Sequence, residues 1–190
     1  MLKRIKTKSG VKAGSGFFVI IASEYNAKYV NGMLRAARTL LAATPGVRVE
    51  VVRVPGAFEI PAVAARLAAG MGRDLSGLVC LGVILRGETT HAQFIGESVT
   101  AALAQIQVSW QVPVVHEVLL FENEEQAKVR CLSREHNRGA EAAATALTMG
   151  RIMRKVDKLV DDATFGSAKD WFRSLQRPTG PVNKLDDVPF

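Results

Sequence analysis

The chain has 190 residues, of which 48% are hydrophobic and 23% are charged, which suffices for one compact core and predicts a single main domain. Its formal net charge is +7, but the basic residues are spread along the chain without interleaved aromatics, which favours a basic surface that attracts small anions over a nucleic-acid-binding protein. The chain lacks a stretch of roughly 18 apolar residues and the apolar core of a signal peptide, which predicts a cytoplasmic protein with no membrane partner.

Apolar runs of strand length alternate with segments of helical periodicity along the chain. The predicted strands cover residues 17–22, 47–54, 78–85 and 112–120, and the predicted helices cover 31–43, 60–69, 91–110, 122–130 and 140–153. Strands that are apolar on both faces and alternate with helices predict a parallel sheet covered on both sides. The expected fold class is therefore α/β, a three-layer αβα sandwich with a central four-stranded parallel sheet. Such sheets bind ligands beyond the carboxyl ends of their strands.

The two ends of the chain differ in composition from this core. Residues 1–16 are polar, contain glycine and lack acidic residues, which predicts a flexible N-terminal segment before a main domain at 17–155. Several prolines near the C-terminus suit a tail-like extension over 156–190, with at most one short helix at 170–175.

The loop after the second strand holds an aromatic and an acidic residue on a stiff turn. It reads Val-Pro-Gly-Ala-Phe-Glu-Ile-Pro over residues 54–61. Pro55 and Gly56 favour a turn, and Pro61 suits the first turn of the next helix. Phe58 and Glu59 between them could bind a hydroxylated ligand that carries a ring. The alternative is an ordinary helix entry in which Glu59 acts as a cap.

The loop after the third strand leads into a long predicted helix. The segment from Gly87 to Thr90 stands where a helix start presents free backbone N–H groups, which suit a phosphate or another anion. The Gly-Lys-Ser/Thr ending of a Walker motif is missing. His91 stands at the same place, and its imidazole is suited to proton transfer near neutral pH. A lone histidine at a helix start is more often an ordinary surface residue.

The fourth strand and the helix after it supply further candidates. His116 and Glu117 stand near the end of this strand, and Arg130 follows in the next helix. Arginine suits two-pronged phosphate contacts, although a solvated arginine on a helix face is more common.

The spacing of cysteines and histidines does not support a metal site. Cys80 and Cys131 have no partner at ligand spacing, which favours reduced thiols in a cytosolic protein. His91, His116 and His136 are far apart, with no linking Asp or Cys pattern.

Four motifs of this chain resemble the lumazine synthase family. They are Val-Pro-Gly-Ala-Phe-Glu-Ile-Pro at 54–61, Leu-Gly-Val-Ile-Leu-Arg-Gly-Glu-Thr-Thr-His at 81–91, Glu-Gln-Ala-Lys-Val-Arg at 125–130 and Asn-Arg-Gly-Ala-Glu at 137–141. Their order and spacing also fit, and the similarity covers about residues 17–153. The resemblance implies a flavodoxin-like fold and the condensation of 5-amino-6-(D-ribitylamino)uracil with 3,4-dihydroxy-2-butanone 4-phosphate, without a cofactor or metal.

The resemblance also implies roles for individual residues, carried over by position. His91 would be the acid–base residue, and Arg130 would hold the phosphate together with Glu88 and Thr89. Tyr25 would stack on the pyrimidine ring. The remaining substrate-binding positions would be Ala57, Phe58 and Glu59 for the ribityl chain, Val83, Ile84 and Leu85 for the uracil, and Arg138 with Glu141 to close the site.

The family also implies an oligomer whose site lies between neighbouring subunits of a pentamer. Pentamers, decamers and sixty-subunit shells all occur, and the sequence leaves this choice open, along with a partnership with riboflavin synthase. His116 stands where the family usually has a phenylalanine that packs on the substrate from the adjacent subunit, and Arg138 replaces a usual lysine.

Two other interpretations compete with this assignment. A non-catalytic carrier of lumazine or flavin, or a shell-forming protein, would keep the site without turnover, but it would not need both His91 and Arg130. A nucleotide-binding α/β protein would need a glycine-rich first loop, whereas residues 22–26 read Ala-Ser-Glu-Tyr-Asn.

Overall fold

The computed structural model describes residues 16–175, with side chains as far as residue 163. The strands are β1 (Gly16–Ser23), β2 (Val47–Val54), β3 (Gly77–Leu85) and β4 (Val114–Phe121). The helices are α1 (Ala27–Ala42), α2 (Ile60–Met71), α3 (His91–Trp110), α4 (Glu124–Cys131) and α5 (Arg138–Leu175), and short 3₁₀ turns cover Ala57–Glu59 and Gly72–Asp74.

The four strands form one parallel sheet in the order β2-β1-β3-β4. Helices cover both faces of this sheet, which confirms the predicted αβα sandwich. Alternate residues of a strand point to opposite faces. Accordingly, Phe18 and Ile20 of β1 enter one core, with α1, α4 and the start of α5, whereas Val19 and Ile21 enter the other, with α2 and α3.

The starts of α1, β4, α4 and α5 differ from the sequence prediction by two to four residues, and those of α1 and β4 have a clear local cause. Helix α1 begins at Ala27 instead of residue 31, because Asn26 adopts a left-handed backbone conformation, with φ 57°, that turns the chain directly from the strand end into the helix. Strand β4 begins at Val114 instead of residue 112. Pro113 has no N–H group for the ladder, and only its carbonyl takes part, accepting from Leu78 N at 2.8 Å.

Helix α5 corrects the prediction for the C-terminal region. The predicted helix ends at residue 153, but α5 continues to Leu175. The expectation of a tail from residue 156 is therefore wrong for residues 156–175. The prolines that suggested a tail stand at 178 and beyond, outside the described residues, and before them only Gly166 interrupts the helix-forming composition. The described part of the chain divides into two units, with the boundary between Met153 and Arg154.

The two cysteines lie in different cores. Cys80 packs with α2 and α3 on one face of the sheet, and Cys131 packs with α1 and α5 on the other. Both are free thiols, and burial raises the pKa of each to about 12. A buried thiol that is not ionised is chemically inert. The sheet between them prevents a disulfide from joining them.

Candidate functional site

The ends of β1, β2 and β3 are tied together by hydrogen bonds of the loop after β1. Glu24 N donates to Val54 O at 2.8 Å, and Tyr25 N donates to Pro55 O at 3.0 Å. Asn26 Nδ2 donates to Val83 O at 2.8 Å. Three loops that are distant in sequence therefore form one continuous edge, as expected for the carboxyl ends of a parallel sheet.

Two aromatic side chains lie exposed on this edge. Tyr25 is 72% exposed and Phe58 is 62% exposed, and each stands in a short turn between regular elements. Aromatic surface left open on a rigid loop is typical of a binding site. Ala57 beside Phe58 is buried and fixes the turn to the core. The two rings can therefore contact a ligand without rearrangement of the backbone.

Glu59 precedes α2, but the structure does not support its interpretation as a helix cap. Its side chain makes no capping hydrogen bond within the described part of the chain. Its carboxylate instead lies beside Gly56, where an added Cβ would come 2.8 Å from Oε2. The carboxylate is exposed and open to a hydroxyl-bearing ligand.

The end of β3 contributes backbone more than side chains. Val83 and Ile84 are buried, one in each core, and Leu85 is half-buried. Their side chains belong to the fold of this chain, so at the edge they offer mainly peptide groups. Arg86 then anchors the following loop to the end of β4, because its N–H donates to Phe121 O at 2.9 Å and its Nε lies 2.7 Å from Glu122 Oε2.

The predicted anion cradle at the start of α3 is exposed. Glu88, Thr89 and His91 all face solvent. Thr89 Oγ1 accepts from His91 N at 3.4 Å, and Thr90 O accepts from Gln93 N at 3.0 Å, which sets the first turn of the helix. His91 therefore stands at a helix N-terminus, where the macrodipole favours an anion. We call Tyr25, 57–59, 83–85, Glu88, Thr89 and His91 the strand-end half of the site.

The second group of predicted residues surrounds β4. His116 uses both ring nitrogens: Val118 N donates to Nδ1 at 3.0 Å, and Nε2 lies 2.8 Å from Thr100 Oγ1 on α3. Because Nδ1 accepts, the ring is neutral with its proton on Nε2. Burial lowers the pKa of His116 below 6.5, in agreement with this state. The ring thus joins β4 to α3.

Arg138, at the start of α5, lies between two carboxylates. Its Nε is 2.9 Å from Oε2 of the buried Glu117 on β4, and its Nη1 contacts Glu141. Burial raises the pKa of Glu117, and Arg138 and Arg130 act against that shift. Both arginines therefore lie in the electrostatic neighbourhood of Glu117. We call His116, Glu117, Arg130, Arg138 and Glu141 the β4 half of the site.

The register of the sheet separates His116 and Glu117 from the strand-end half of the same chain. His116 is paired in register with Cys80, five residues before Leu85, where β3 ends. At a rise of about 3.3 Å per residue, His116 lies about 16 Å along the sheet from the strand-end edge. Glu117, which holds Arg138, is only one residue closer to the edge. Strand β4 is also the outermost strand, so the β4 half lies at the margin of the sheet.

Several residues organise the site although sequence reasoning gave them no specific role, Glu117 having been named only as a candidate. They are Asn26, Thr100, Glu117 and Asn137. A carboxylate inside the apolar run of β4 was a usable signal for Glu117, since an acidic residue is rarely buried unpaired. The signals for Asn26 and Asn137 were weaker: each is an asparagine directly before a helix. Thr100 carries no local signal.

The described residues can also be compared with the requirements of a metal site and of a membrane-spanning helix. No cluster of three or more His, Cys, Asp or Glu side chains with metal-binding geometry occurs in the described residues. Over the same stretch of chain, no helix combines the length and apolar character needed to cross a membrane.

Comparison with known proteins gives one family. The 6,7-dimethyl-8-ribityllumazine synthase family matches residues 17–154. A protein of that name from Kineococcus radiotolerans is 40% identical over 149 residues, which cover 77% of this chain and 91% of the relative. One from Stenotrophomonas maltophilia is 35% identical over 144 residues, with coverage of 75% and 92%, and one from Xanthomonas campestris pv. campestris is 37% identical over 139 residues, with coverage of 72% and 88%.

Proposed function

The chain belongs to the 6,7-dimethyl-8-ribityllumazine synthase family, and from this premise we propose that it condenses 5-amino-6-(D-ribitylamino)uracil with 3,4-dihydroxy-2-butanone 4-phosphate. The product is 6,7-dimethyl-8-ribityllumazine, the precursor of riboflavin, and water and phosphate are released. The chain is thus a transferase of riboflavin biosynthesis. The observation that carries the proposal is the single edge on which Tyr25, Phe58 and His91 lie exposed at the ends of three adjoining strands.

The strand-end half binds the uracil substrate in this proposal. The exposed ring of Tyr25 stacks on the pyrimidine, since offset stacking of flat rings is favourable. The 57–59 turn binds the ribityl chain, with the open carboxylate of Glu59 accepting hydrogen bonds from its hydroxyl groups. The peptide groups of 83–85 line the uracil, which agrees with the burial of the Val83 and Ile84 side chains.

The start of α3 supplies proton transfer and part of the phosphate site. His91 is the acid–base residue: it assists loss of water when the substrate amine forms an imine with the ketone, then phosphate elimination and ring closure. The backbone N–H groups of the Glu88–Thr89 segment face the phosphate, together with the guanidinium of Arg130. These steps are additions and eliminations without net oxidation, so we propose no cofactor or metal.

The active site is shared between two copies of the chain. The separation of about 16 Å along the sheet between His116 and the strand-end edge supports this arrangement, because one chain alone offers each substrate only half of the contacts. A neighbouring copy places its β4 half, with His116, Arg130, Arg138 and Glu141, against the strand-end half of the first. The proposed assembly is a homopentamer or a higher assembly built from pentamers, in which each copy gives one half and receives the other.

The same proposal gives the setting of the enzyme. We place it in the cytoplasm, which agrees with the two free, buried thiols Cys80 and Cys131. Its product is the substrate of riboflavin synthase, which makes that enzyme a candidate partner.

The test is absorbance in the lumazine band after the purified protein is mixed with both substrates, with light scattering to establish its assembly. Product from the intact oligomer supports the proposal. Absence of product, together with a yellow or fluorescent ligand that stays bound through purification, would instead identify a non-catalytic carrier.

A further inference from the structure

Glu117 is a charged residue in the interior of the fold, outside the residues to which the proposed function gives a role. It is only 5% exposed and lies in the middle of β4, between Val115 and Val118, which are both buried. Burying a carboxylate is unfavourable unless a positive group compensates it. Here the compensating group is the guanidinium of Arg138, with Nε 2.9 Å from Glu117 Oε2.

The position of Arg138 is itself unfavourable without acidic partners. It stands in the first turn of α5, where the helix macrodipole disfavours a cation. Glu117 takes its Nε and Glu141 takes its Nη1, so Nη2 is the nitrogen that neither carboxylate uses. A guanidinium is planar, and contacts on two different nitrogens fix both its plane and the direction in which Nη2 points.

Glu117 and Glu141 connect the guanidinium of Arg138 to different elements of the fold. Glu141 lies three residues along the same helix, so its contact travels with α5. Glu117 belongs to a strand whose ladder with β3 runs from Val114 to Phe121. Only Glu117 therefore ties the guanidinium to the sheet.

The start of α5 is also fixed against the rest of the fold, so the guanidinium is held at both ends. The buried Asn137 donates through Nδ2 to Cys131 O at 2.7 Å and accepts from Gly139 N at 2.9 Å. Gly139 lies against the backbone of α1, where an added Cβ would come 2.0 Å from Met33 O. These contacts set where the backbone of Arg138 lies.

We propose that Glu117 is a positioning residue for substrate binding, which holds the guanidinium of Arg138 in the orientation that the β4 half presents to the neighbouring copy. The proposal rests on the proposed function, in which Arg138 closes the site. A purely structural role would predict a different behaviour, because removing one partner of a buried ion pair leaves the other charge uncompensated and lowers the free energy of unfolding. The contact would then matter for unfolding and not for substrate binding.

The experiment compares steady-state kinetics of the full-length oligomer with Glu117→Gln, Glu141→Gln and Glu125→Gln. Glu125 is the matched control, since it is an exposed carboxylate in an ion pair with Lys128 at the same i,i+3 spacing as the Arg138–Glu141 pair. Glu117→Gln is expected to lower kcat/KM about tenfold, through KM, as loss of one charge-assisted hydrogen bond predicts. Glu141→Gln is expected to lower it less, and Glu125→Gln to leave it unchanged.

The decisive comparison repeats Glu117→Gln in an Arg138→Gln background. If Glu117 acts through Arg138, the second substitution causes no further loss there. Equal losses in both backgrounds, or kcat/KM within about twofold of the unmodified chain in Glu117→Gln, would overturn the proposal. If Glu117→Gln does not fold, Glu117→Asp replaces it, because it keeps the buried charge but withdraws the carboxylate from Nε, and the same loss is expected.

A second readout is independent of turnover. The rate at which phenylglyoxal modifies Arg138, followed by peptide mass spectrometry, is expected to rise several-fold in Glu117→Gln, while the rate at the exposed Arg134, in the loop between α4 and α5, stays constant. An unchanged rate at Arg138 overturns the anchoring by Glu117. An intact chain that makes no lumazine product would reject the proposed function, and the labelling would still decide whether Glu117 anchors Arg138.

Discussion

The strand-end half and the β4 half bear side chains that are held in opposite ways. On the strand-end half, Tyr25 and Phe58 present most of their rings to solvent, and His91 stands exposed at a helix start. On the β4 half, both ring nitrogens of His116 are engaged, and Arg138 lies between two carboxylates. His116 and Arg138 are therefore oriented by contacts within the chain, whereas Tyr25 and Phe58 keep their ring surfaces free for a ligand.

This difference follows from the cost of orienting each kind of group. An exposed aromatic ring has few rotatable bonds and loses little entropy on binding. A long cationic side chain loses much more and must be oriented accurately to recognise an anion. A site divided in this way gains most when an arginine such as Arg138 is already oriented in the free protein. Here the buried carboxylate of Glu117 and the close contact between α5 and α1 orient it.

A pair of glycine substitutions compares how tightly the backbone is packed beside each half. Gly139→Ala, next to Arg138 of the β4 half, places a Cβ 2.0 Å from Met33 O, a backbone atom that cannot move aside, whereas a Cβ at Gly87, next to Glu88 of the strand-end half, meets nothing within 4 Å. We expect Gly139→Ala to lower the free energy of unfolding by at least about 3 kcal/mol, and Gly87→Ala to change it by less than about 0.5 kcal/mol. Denaturant unfolding at equal protomer concentration measures both. Similar stabilities of the two variants would mean that α1 and α5 are not in close contact.

We expect the β4 half to contribute more to kcat/KM than the strand-end half. Arg130→Ala removes a phosphate contact of the β4 half, and we expect kcat/KM to fall at least about a hundredfold. His91→Ala is expected to cost about tenfold, because solvent can carry part of the proton transfer. The kcat/KM of Arg130→Lys should lie between those of Arg130→Ala and His91→Ala, since lysine keeps the charge but not the two-pronged geometry.

Arg134→Ala controls for the general loss of positive charge, because Arg134 is exposed in the loop between α4 and α5. A greater loss in His91→Ala than in Arg130→Ala would reverse the order of the two halves and make proton transfer the dominant contribution.

Mixing the two impaired variants, His91→Ala and Arg130→Ala, tests whether the halves belong to different chains. His91→Ala damages only the strand-end half and Arg130→Ala only the β4 half, so some interfaces of a co-assembled oligomer receive two intact halves. Random assembly of equal amounts should restore about one quarter of the activity of the unmodified protein. Lumazine absorbance after joint unfolding and refolding measures the recovery, and each variant refolded alone is the control. No recovery, with mixed oligomers verified by mass spectrometry, would show that one chain contains the entire site.

The strand-end half could be predicted from the sequence because its signals are local. The periodicity gave β2 from Val47 to Val54 and α3 from His91 to Trp110 with the bounds that the structure has. The Pro-Gly turn before Phe58 and the helix start at His91 are short-range features of the chain. The roles assigned to these residues rest on the resemblance and stay predictions until turnover is measured.

The organisation of the β4 half could not be predicted, because it depends on contacts between distant parts of the chain. Glu117 and Arg138 are 21 residues apart, and His116 and Thr100 are 16 residues apart. Neither pair has a periodicity or a turn signature that connects it. The sequence therefore did not indicate that both ring nitrogens of His116 are engaged within one chain.

The engagement of His116 predicts a pH dependence of stability that is specific to the β4 half. Its folded pKa is lowered below 6.5 by burial, so as pH falls below 6.5 the unfolded chain takes up a proton before the folded chain does. The contribution of His116 is complete above pH 6.5 and is lost as pH falls through the lower folded pKa. We expect His116→Phe to have a smaller loss of unfolding free energy over this range, measured by denaturant unfolding at a series of pH values.

Thr100→Val separates the titration of the ring from its contact with α3. This variant removes the hydroxyl that lies 2.8 Å from Nε2, but it leaves Val118 N donating to Nδ1. Only the hydrogen bond from Val118 N to Nδ1 depends on a neutral ring, because Nε2 donates in both protonation states. Stability should therefore fall by about 1 kcal/mol at every pH, with the slope below pH 6.5 retained. A slope that disappears in Thr100→Val would mean that α3, and not the backbone of β4, keeps the ring neutral.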